Sequence, residues 1–592
     1  MNAATGSSNS TYRACATSAT ETPARFTNYV SLMRGRAERS PDQLAYVHLD
    51  RGDTPNEQFT YQTLDRDARR LAVILQSMGA TNQRVLLLLA SDLHYVVSFF
   101  ACLYAGAVAV TLDSSTKPKH LARLQTIVRD AEPAVVLATA TTRRAVMSQP
   151  GADAIFGAAA WLDVDDLPAA DPDDWRPGIV RGDTLAFLQY TSGSIADPKV
   201  VMITHENLLF QGAYLERLLG FTPEDVTVTW LPHFHDMGLI LGVLQASYTG
   251  FPCYLMTPTS FIKRPMCWLE AISRFGGTFS PAPNFAYDLC VQSFDPASSG
   301  PLDLSSWKVA LNGAEPVRKS TLDRFCATFG SFGFDPAAFC VGYGMAEATL
   351  AISTTTRALA PRSVRARPES LLDHRVIVAG DGEDSREIVS CGRTELGSEA
   401  IVVSPDELAP LPNNVIGEIL VGGGSRASGY WRRPDQSRAT FEVFLADGRG
   451  PYLRTGDLGF VDDAGELYVA GRDKDLLIIN GKNHWPQDLE ISAEACHPAV
   501  RPHFVAAFCV EIEGREQAVL VAELQIEADE AELRQVAATI RTTIAREHDL
   551  RLAQIVFLDR GQFPKTTSGK LQRQQCRALH QRDQWRVLAR YA

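Results

Sequence analysis

The chain has 592 residues, of which 45% are apolar and 21% charged, and its net charge is −12. This length and composition build more than one buried core, and the acidic balance argues against a nucleic-acid surface, which needs a basic patch. Eleven cysteines, an odd number with no Cys-x-x-Cys pair, argue against a metal cluster and fit a reduced, cytoplasmic setting.

Residues 1–24 are rich in Ser, Thr and Ala, lack the apolar core of a secretory signal, and read as a disordered lead. From Thr60, the apolar spacing Tyr61, Leu64, Ala68, Leu71, Ala72, Leu75 predicts a helix that ends at Met78-Gly79. A strand follows at Val85–Ala90. Tyr95–Leu112 is uncharged over eighteen residues, the lower limit for a membrane span. Gly106 divides it, so the reading is a buried helix, Leu93–Tyr104, followed by a buried strand, Ala107–Leu112, and no membrane span. A helix at His120–Asp130 and a strand at Ala134–Ala138 continue an alternation typical of a parallel sheet covered on both faces. Ala140 to Asp183, rich in Ala, Asp, Pro and Gly, reads as a surface connection.

Two β-prone runs, Thr184–Tyr190 and Val200–Thr204, then flank a loop containing Thr191, Ser192, Gly193, Ser194 and Lys199. Hydroxyl donors, one glycine and one cation suit a phosphate cradle, although the spacing is not that of a Walker loop. An ordinary hairpin is the alternative. Asn207 can cap a helix through Leu219, and Val226–Leu231 forms a strand ending in Pro232-His233-Phe234-His235-Asp236-Met237-Gly238. No further Cys or His stands nearby at metal spacing, so a pocket-lining or gating role for these histidines is preferred to zinc, with a plain turn as the alternative. Phe279–Tyr287 reads as a stiff apolar loop with two prolines.

Val309–Pro316 opens a strand into a turn, and Cys340–Thr349 does the same; strand ends are where open α/β sheets place ligands. Tyr343 can stack on a base, and Glu347 is a hard oxygen ligand suited to Mg²⁺. Asp457 can accept from ribose hydroxyls, and Arg472 can pair with a phosphate or the ribose. Pro564–Lys570 presents another lysine on a hydroxyl-rich loop.

Taken in order, Tyr-Thr-Ser-Gly-Ser, Asn-Gly-Ala-Glu-Pro, Tyr-Gly-Met-Ala-Glu, Tyr-Leu-Arg-Thr-Gly-Asp, Gly-Arg-x-Lys-Asp and Pro-Lys-Thr-x-Ser-Gly-Lys resemble the adenylate-forming enzymes over about Phe26 to Leu588. Trp230–Ile240, Ala282–Cys290 and Gly481–Glu490 resemble the fatty acyl-AMP ligases within that superfamily, as do the roughly seventy residues between Glu347 and Gly417, which include the basic piece Arg357–Arg367. A long surface loop is the alternative reading of that segment.

The resemblance implies an α/β fold: a large N-terminal domain of packed mixed sheets and helices, residues 25–473, and a small mobile α+β C-terminal domain, residues 474–592, hinged at Lys474. It implies ATP and Mg²⁺, a fatty acid as substrate, and a phosphopantetheinylated acyl carrier protein as acceptor. No Asp-Ser-Leu carrier motif follows Lys570 in this sequence, so a carrier on another chain is expected. By resemblance Thr191–Ser194 and Lys199 hold the phosphates, and Glu347 with Thr191 holds Mg²⁺. Asn312, Gly313 and Ala314 with Gly342, Tyr343 and Gly344 line the adenine site, Met345 and Ala346 also belong to the ATP and acyl-AMP site, and Asp457 and Arg472 take the ribose. Lys570, Glu347 and His235 are the candidate catalytic residues, with Lys570 bridging the carboxylate and the α-phosphate.

Three positions depart from the pattern: Val200 stands where glycine is usual, Ile195 where threonine is common, and His233 where an apolar residue or tyrosine is usual. An acyl-CoA synthetase shares every adenylation residue and differs in its thiol acceptor. A non-catalytic nucleotide-binding scaffold would be expected to lack Lys570 or Glu347, and both are present.

Overall fold

The computed structural model describes residues 26–114, 118–157, 159–190, 199–297, 300–479, 482–512, 515–566 and 571–592. The N-terminal lead, Thr191, Ser192, Gly193, Ser194, Ile195 and Lys570 lie outside the described residues.

Two large sheets carry the N-terminal part. One has six strands in the order Ala160–Asp163, Val135–Ala138, Arg84–Leu88, Val108–Thr111, Leu185–Tyr190, Val200–Thr204, parallel except for the final hairpin pair. The uncharged run is the helix Leu93–Ala105 leading into the strand Val108–Thr111. Asp92 caps its start by accepting from Tyr95 N at 3.2 Å, and Gly106 ends it with φ +67°, where glycine carries no Cβ penalty. Its Phe99, Phe100 and Leu103 are fully buried, which accounts for a helix apolar on all sides. Among the described residues no helix is long and apolar enough to cross a membrane.

The second sheet has eight strands, in the order Ala351–Thr354, Phe339–Gly344, Val309–Gly313, Phe279–Pro283, Thr227–Thr229, Cys253–Leu255, Leu44–Asp50, Thr54–Thr60. Its interior pairs are parallel and its two edge pairs antiparallel. The expected loop Phe279–Tyr287 is a strand running into the helix Asn284–Ser293. Along one side it pairs with Val309–Gly313 throughout, but on the other it meets Thr227 only through Phe279, so Pro281 and Pro283 withhold no ladder donor there.

Two further expectations change. The helix His205–Leu219 is capped by Thr204, whose hydroxyl accepts from Asn207 N at 3.2 Å; Asn207 answers as the third helical residue of a reciprocal capping box. Within Ala140–Asp183, the strand Ala160–Asp163 pairs parallel with Val135–Ala138, a four-residue edge too short to stand out from its Ala- and Pro-rich surroundings.

A four-stranded antiparallel sheet, Ser398–Val403, Gly417–Gly423, Leu453–Val461 and Leu467–Arg472, follows. The C-terminal domain is built on the sheet Val500–Ile512, Arg515–Leu524, Leu552–Leu558, Val587–Tyr591 with helices Pro486–Cys496, Glu530–His548 and Arg573–Gln581. Side-chain alternation gives that sheet a core on each face: Val505, Ala507, Leu520 and Ile555 pack under Ile540, and Ala506, Phe508, Val519 and Val556 pack with Phe563 and Trp585.

The stretch after Glu347 is not a free surface loop. Strands Ser363–Ala366 and Arg386–Val389 pair across the helix Pro368–Leu372, and Ala366, Leu371, Val376 and Ile388 share an apolar cluster with Phe460, Tyr468 and Trp485. Arg386 Nε meets Asp488 at 2.9 Å, and Asn483 Nδ2 meets His374 Nε2 at 3.1 Å.

Candidate active site

Glu347 is presented by a tight loop. The strand Phe339–Gly344 ends where Met345 N donates to Leu350 O at 2.8 Å, and a Cβ on Gly344 would lie 1.9 Å from that carbonyl oxygen, so only glycine fits. Ala427 N donates to Glu347 O at 2.9 Å, and Thr349 Oγ1 to Ser425 O at 2.6 Å, which pins the loop to residues 425–427. The next residues add to the free edge of Val200–Thr204: Met202 N bonds Gly429 O, and Trp431 N bonds Val200 O. Tyr430 is thereby fixed between the hairpin and the loop. Its hydroxyl donates to Glu347 Oε1 at 2.8 Å, and Lys199 Nζ lies 4.9 Å from its ring centroid. Burial, then the Glu347 carboxylate, pushes the Tyr430 hydroxyl well above its usual pKa, so it stays a proton donor.

A second cluster joins the eight-stranded sheet to the four-stranded one. Asp457 faces Arg472 in strand register, and the ladder shifts beside it, between Glu418 and Leu420, where Gly456 has φ +70°. Such a bulge re-aims a side chain. Asp457 Oδ2 accepts from Tyr343 Oη at 2.8 Å, and Oδ1 accepts from Arg472 Nε at 3.0 Å. The Asp457 charge, against burial, holds the Arg472 guanidinium above its usual pKa, while burial and then Asp457 raise Tyr343.

Between these clusters lies the end of Val309–Gly313. A Cβ on Gly313 would stand 2.8 Å from Gly342 O, and Ala314 adopts φ +65°, so the two strand ends approach closely. Asn312 is fully buried; its Nδ2 donates to Asn284 Oδ1 at 3.3 Å, while its Oδ1 has no donor among the described residues. Met345 and Ala346 begin the loop of Glu347.

The two histidines of Pro232–Gly238 part company. His235 Nδ1 lies 2.8 Å from Asp236 Oδ1 and is partly exposed. His233 is wholly buried edge-on to Tyr95, at 5.4 Å between centroids; neither ring nitrogen has a partner among the described residues, and burial lowers its pKa to about 3. Among the described residues no group of His, Cys, Asp and Glu could hold a metal by itself.

Of the expected site residues that are described, Asn312–Ala314, Gly342–Glu347, Asp457 and Arg472 lie at or beside the ends of Val309–Gly313, Phe339–Gly344 and Leu467–Arg472, and Lys199 reaches Glu347 through the Tyr430 ring. His235 stands apart in the turn after Thr227–Thr229, and Lys474 lies past the ribose candidates in the short turn Asp473–Asp475. The sequence reading missed Tyr430, whose only mark is the run Gly429-Tyr430-Trp431, and Asn284, which lies two residues past Ala282 in a quoted motif. The residues present fit a nucleotide and a magnesium ion. The orphan amide oxygen of Asn312 is an acceptor of the kind an adenine amino group satisfies, Asp457 keeps free lone pairs on both oxygens for hydroxyl donors, and Glu347 is a carboxylate with one oxygen engaged by Tyr430.

Comparison with known proteins agrees with this geometry. A family model described as AMP-binding enzyme matches residues 33–431, and one described as Disco-interacting protein 2-like, AMP domain, matches residues 474–589. The chain is 39% identical over 573 residues, 95% of its length and 96% of the relative's, to the medium-chain-fatty-acid–[acyl-carrier-protein] ligase JamA of Moorena producens. It is 35% identical to the long-chain-fatty-acid–AMP ligase FadD32 of Mycolicibacterium smegmatis, covering 91% of this chain and 92% of that one. A fatty acyl-adenylate ligase from Legionella pneumophila, solved with acyl adenylate and pyrophosphate, superposes with a TM-score of 0.75 at 36% identity, covering 96% of this chain and 98% of that chain. The fold and the matched motifs define an AMP-binding enzyme. Within that family the chain belongs to the fatty acyl-AMP ligases.

Proposed function

We propose that the chain condenses a fatty acid with ATP to an acyl adenylate, releasing pyrophosphate, and passes the acyl group to the phosphopantetheine thiol of a separate acyl carrier protein. The observation that carries this reading is the pair of clusters, Glu347 with Tyr430 and Asp457 with Tyr343 and Arg472, on either side of the strand end that holds the orphan acceptor Asn312, in a chain 39% identical to a carrier-protein ligase.

The chemistry asks for position and charge neutralisation rather than a covalent nucleophile. Asn312 and the strand ends at Gly313 and Gly342 receive the base, and Asp457, held by Tyr343 and Arg472, receives the ribose hydroxyls. Lys199 and the loop Thr191–Ser194 meet the phosphates. Magnesium, when bound, supplies charge neutralisation on the phosphates, and Glu347 with Thr191 is the set that holds it. Lys570 brings a cation between the fatty carboxylate and the α-phosphate. His235, oriented by Asp236, gates the acyl side. The second step uses a turn of the C-terminal domain about Lys474, which withdraws Lys570. A cytoplasmic setting, where ATP and a loaded carrier meet, completes the reading.

Single-turnover product analysis with ATP, Mg²⁺ and a panel of fatty acids, offering either coenzyme A or a phosphopantetheinylated carrier, tests it. The expected result is an acyl adenylate that persists with coenzyme A and is consumed by the carrier. Rapid acyl-CoA formation would assign the synthetase reaction instead, and no adenylate from any acid would overturn the enzyme reading.

A further inference from the structure

The C-terminal domain also touches the large domain at helices Asn284–Ser293 and Lys319–Phe329. Arg318 Nη1 meets Glu494 Oε2 at 2.6 Å, and Asp288 Oδ2 meets His503 Nε2 at 3.1 Å. Both acidic partners are nearly buried, at 8% and 4% side-chain exposure, which sets these contacts apart from surface ion pairs of little net value.

Each acidic residue also has a partner on its own side. Asp288 accepts from Thr321 Oγ1 at 2.7 Å and Arg324 Nη2 at 2.6 Å, while Glu494 Oε1 accepts from His503 N at 2.9 Å. Burial pushes the Asp288 carboxyl up, and hydrogen bonds from His503, Arg324 and Thr321 bring it below its usual range. His503 sits at φ +64°, and the ladder between Val500–Ile512 and Arg515–Leu524 shifts between Val500 and Val505. A left-handed residue without the excuse of being glycine needs surroundings that hold it there. Glu494 on its N–H and Asp288 on its ring supply them, one from each domain.

The same bulge leads to the lysine loop. Arg501 donates to the wholly buried Glu523 at 2.6 Å, and Glu523 Oε1 also takes the N–H groups of Gln562 at 3.0 Å and Phe563 at 3.2 Å. Pro564-Lys565-Thr566 follows directly. Lys565 Nζ lies 3.5 Å from the Phe504 ring centroid and in the field of Glu315, from the Asn-Gly-Ala-Glu-Pro turn of the candidate nucleotide site. Two sets of contacts, Asp288 and Arg318 with His503 and Glu494, and Arg501 with Glu523 and the segment that leads to Lys570, are thus joined by the backbone of residues 501–503.

We propose that Arg318 and Asp288, clasped by Glu494 and His503, are positioning residues that hold the C-terminal domain in the orientation used for adenylation. The proposal rests on the acyl-adenylate reading above. Turning the domain about Lys474 for acyl transfer must open this clasp, so the clasp supports the first half-reaction and is dispensable for the second.

The test is a double-mutant cycle on the full chain with Arg318→Ala, Glu494→Gln and the pair. ATP–pyrophosphate exchange reads the first half-reaction, and transfer from supplied acyl adenylate to a carrier reads the second. Each single variant is expected to lower exchange about tenfold, and the pair no further than either alone, because neighbours sharing one contact are not additive. Transfer should stay within about twofold of the parent, and it doubles as the folding control. Equal losses in both half-reactions, additive losses, or unchanged exchange would each overturn the clasp. A parent chain that forms no adenylate would overturn the clasp together with the function beneath it, an outcome distinct from the other three.

Discussion

The interior of the large domain and its boundary with the C-terminal domain are joined by different forces. Inside, the meeting surfaces are apolar: Trp230 stacks on Phe261 at 3.9 Å, Trp268 packs edge-on to Trp307 and Tyr287, and Phe325 sits among Tyr287, Phe329, Phe334 and Phe339. At the boundary, Trp485 is the main apolar plug, lying against Gly471 where a Cβ would stand 2.6 Å from its ring. The remaining boundary contacts named above are ion pairs and hydrogen bonds: Arg318 to Glu494, His503 to Asp288, Arg386 to Asp488, and Asn483 to His374. Apolar packing loses dispersion and burial together when it opens, whereas polar groups that separate are met by water. A large domain that keeps its shape and a boundary that can be remade is the arrangement a two-step reaction needs.

A change inside the large domain should therefore damage both half-reactions, in contrast to the split expected at the clasp. Gly344→Ala is the sharpest case. Its Cβ cannot coexist with Leu350 O at 1.9 Å, so the loop carrying Glu347 must shift. A displacement on the order of 1 Å costs roughly a hundredfold in rate. Exchange and transfer from supplied acyl adenylate should fall together by about that factor, because the same strand end is the one proposed to line the adenine site. A Gly344→Ala chain that lost exchange alone would dissolve the contrast between interior and boundary.

Much of this was legible in the sequence where a residue's job is local. The helix ending at Gly79, the buried helix stopped by Gly106 and the hairpin around the hydroxyl loop follow from glycine's φ and from apolar spacing. Glu347, Tyr343, Asp457 and Arg472 could be named from motif order; Tyr343 and Arg472 both bond Asp457, while Glu347 bonds Tyr430 in a separate cluster. What the sequence hid depends on long-range pairing. Tyr430 reaches Glu347 only because residues 429–431 add to the edge of Val200–Thr204, and nothing local marks that edge as open. Asp288 and His503 are 215 positions apart, and neither lies in a pattern that signals charge pairing. Val200, standing where the family pattern has glycine, is a strand residue with its side chain buried in a core, so valine's shape suits the place.

The interior and the boundary should also differ in acid. Burial lowers His233 to about 3 and His205 to about 4, from 6.5. Below 6.5 the unfolded chain takes up these protons and the folded one does not, so stability is lost as pH falls from 6.5 towards 4. Each histidine contributes a slope of about 1.4 kcal/mol per pH unit over its own interval. At the boundary, Asp288 is held below the usual carboxylate range and keeps its charge across the same window. Denaturant midpoints should therefore fall between pH 7 and pH 5, and His233→Leu should flatten that fall. An unchanged midpoint in the parent would show that the buried rings find a proton acceptor within the fold.

The smallest expected effect comes from Tyr430→Phe, which keeps the ring and removes one hydrogen bond. The ring packs edge-on to Phe441 at 5.0 Å and carries Lys199 over its face, so packing and the cation contact survive. Glu347 Oε1 loses a donor at 2.8 Å. A hydrogen bond to a charged group is worth about 1.5–3 kcal/mol, but here a metal-bound or hydrated carboxylate recovers part of it, so a three- to tenfold loss of exchange at limiting magnesium is the rough expectation. On the proposed role of Glu347 in holding magnesium, the loss should narrow as magnesium is raised, because the missing bond would orient that ligand rather than take part in the chemistry. A loss independent of magnesium concentration would separate Tyr430 from the metal and tie it to Lys199, turning an interior contact into part of the phosphate grip.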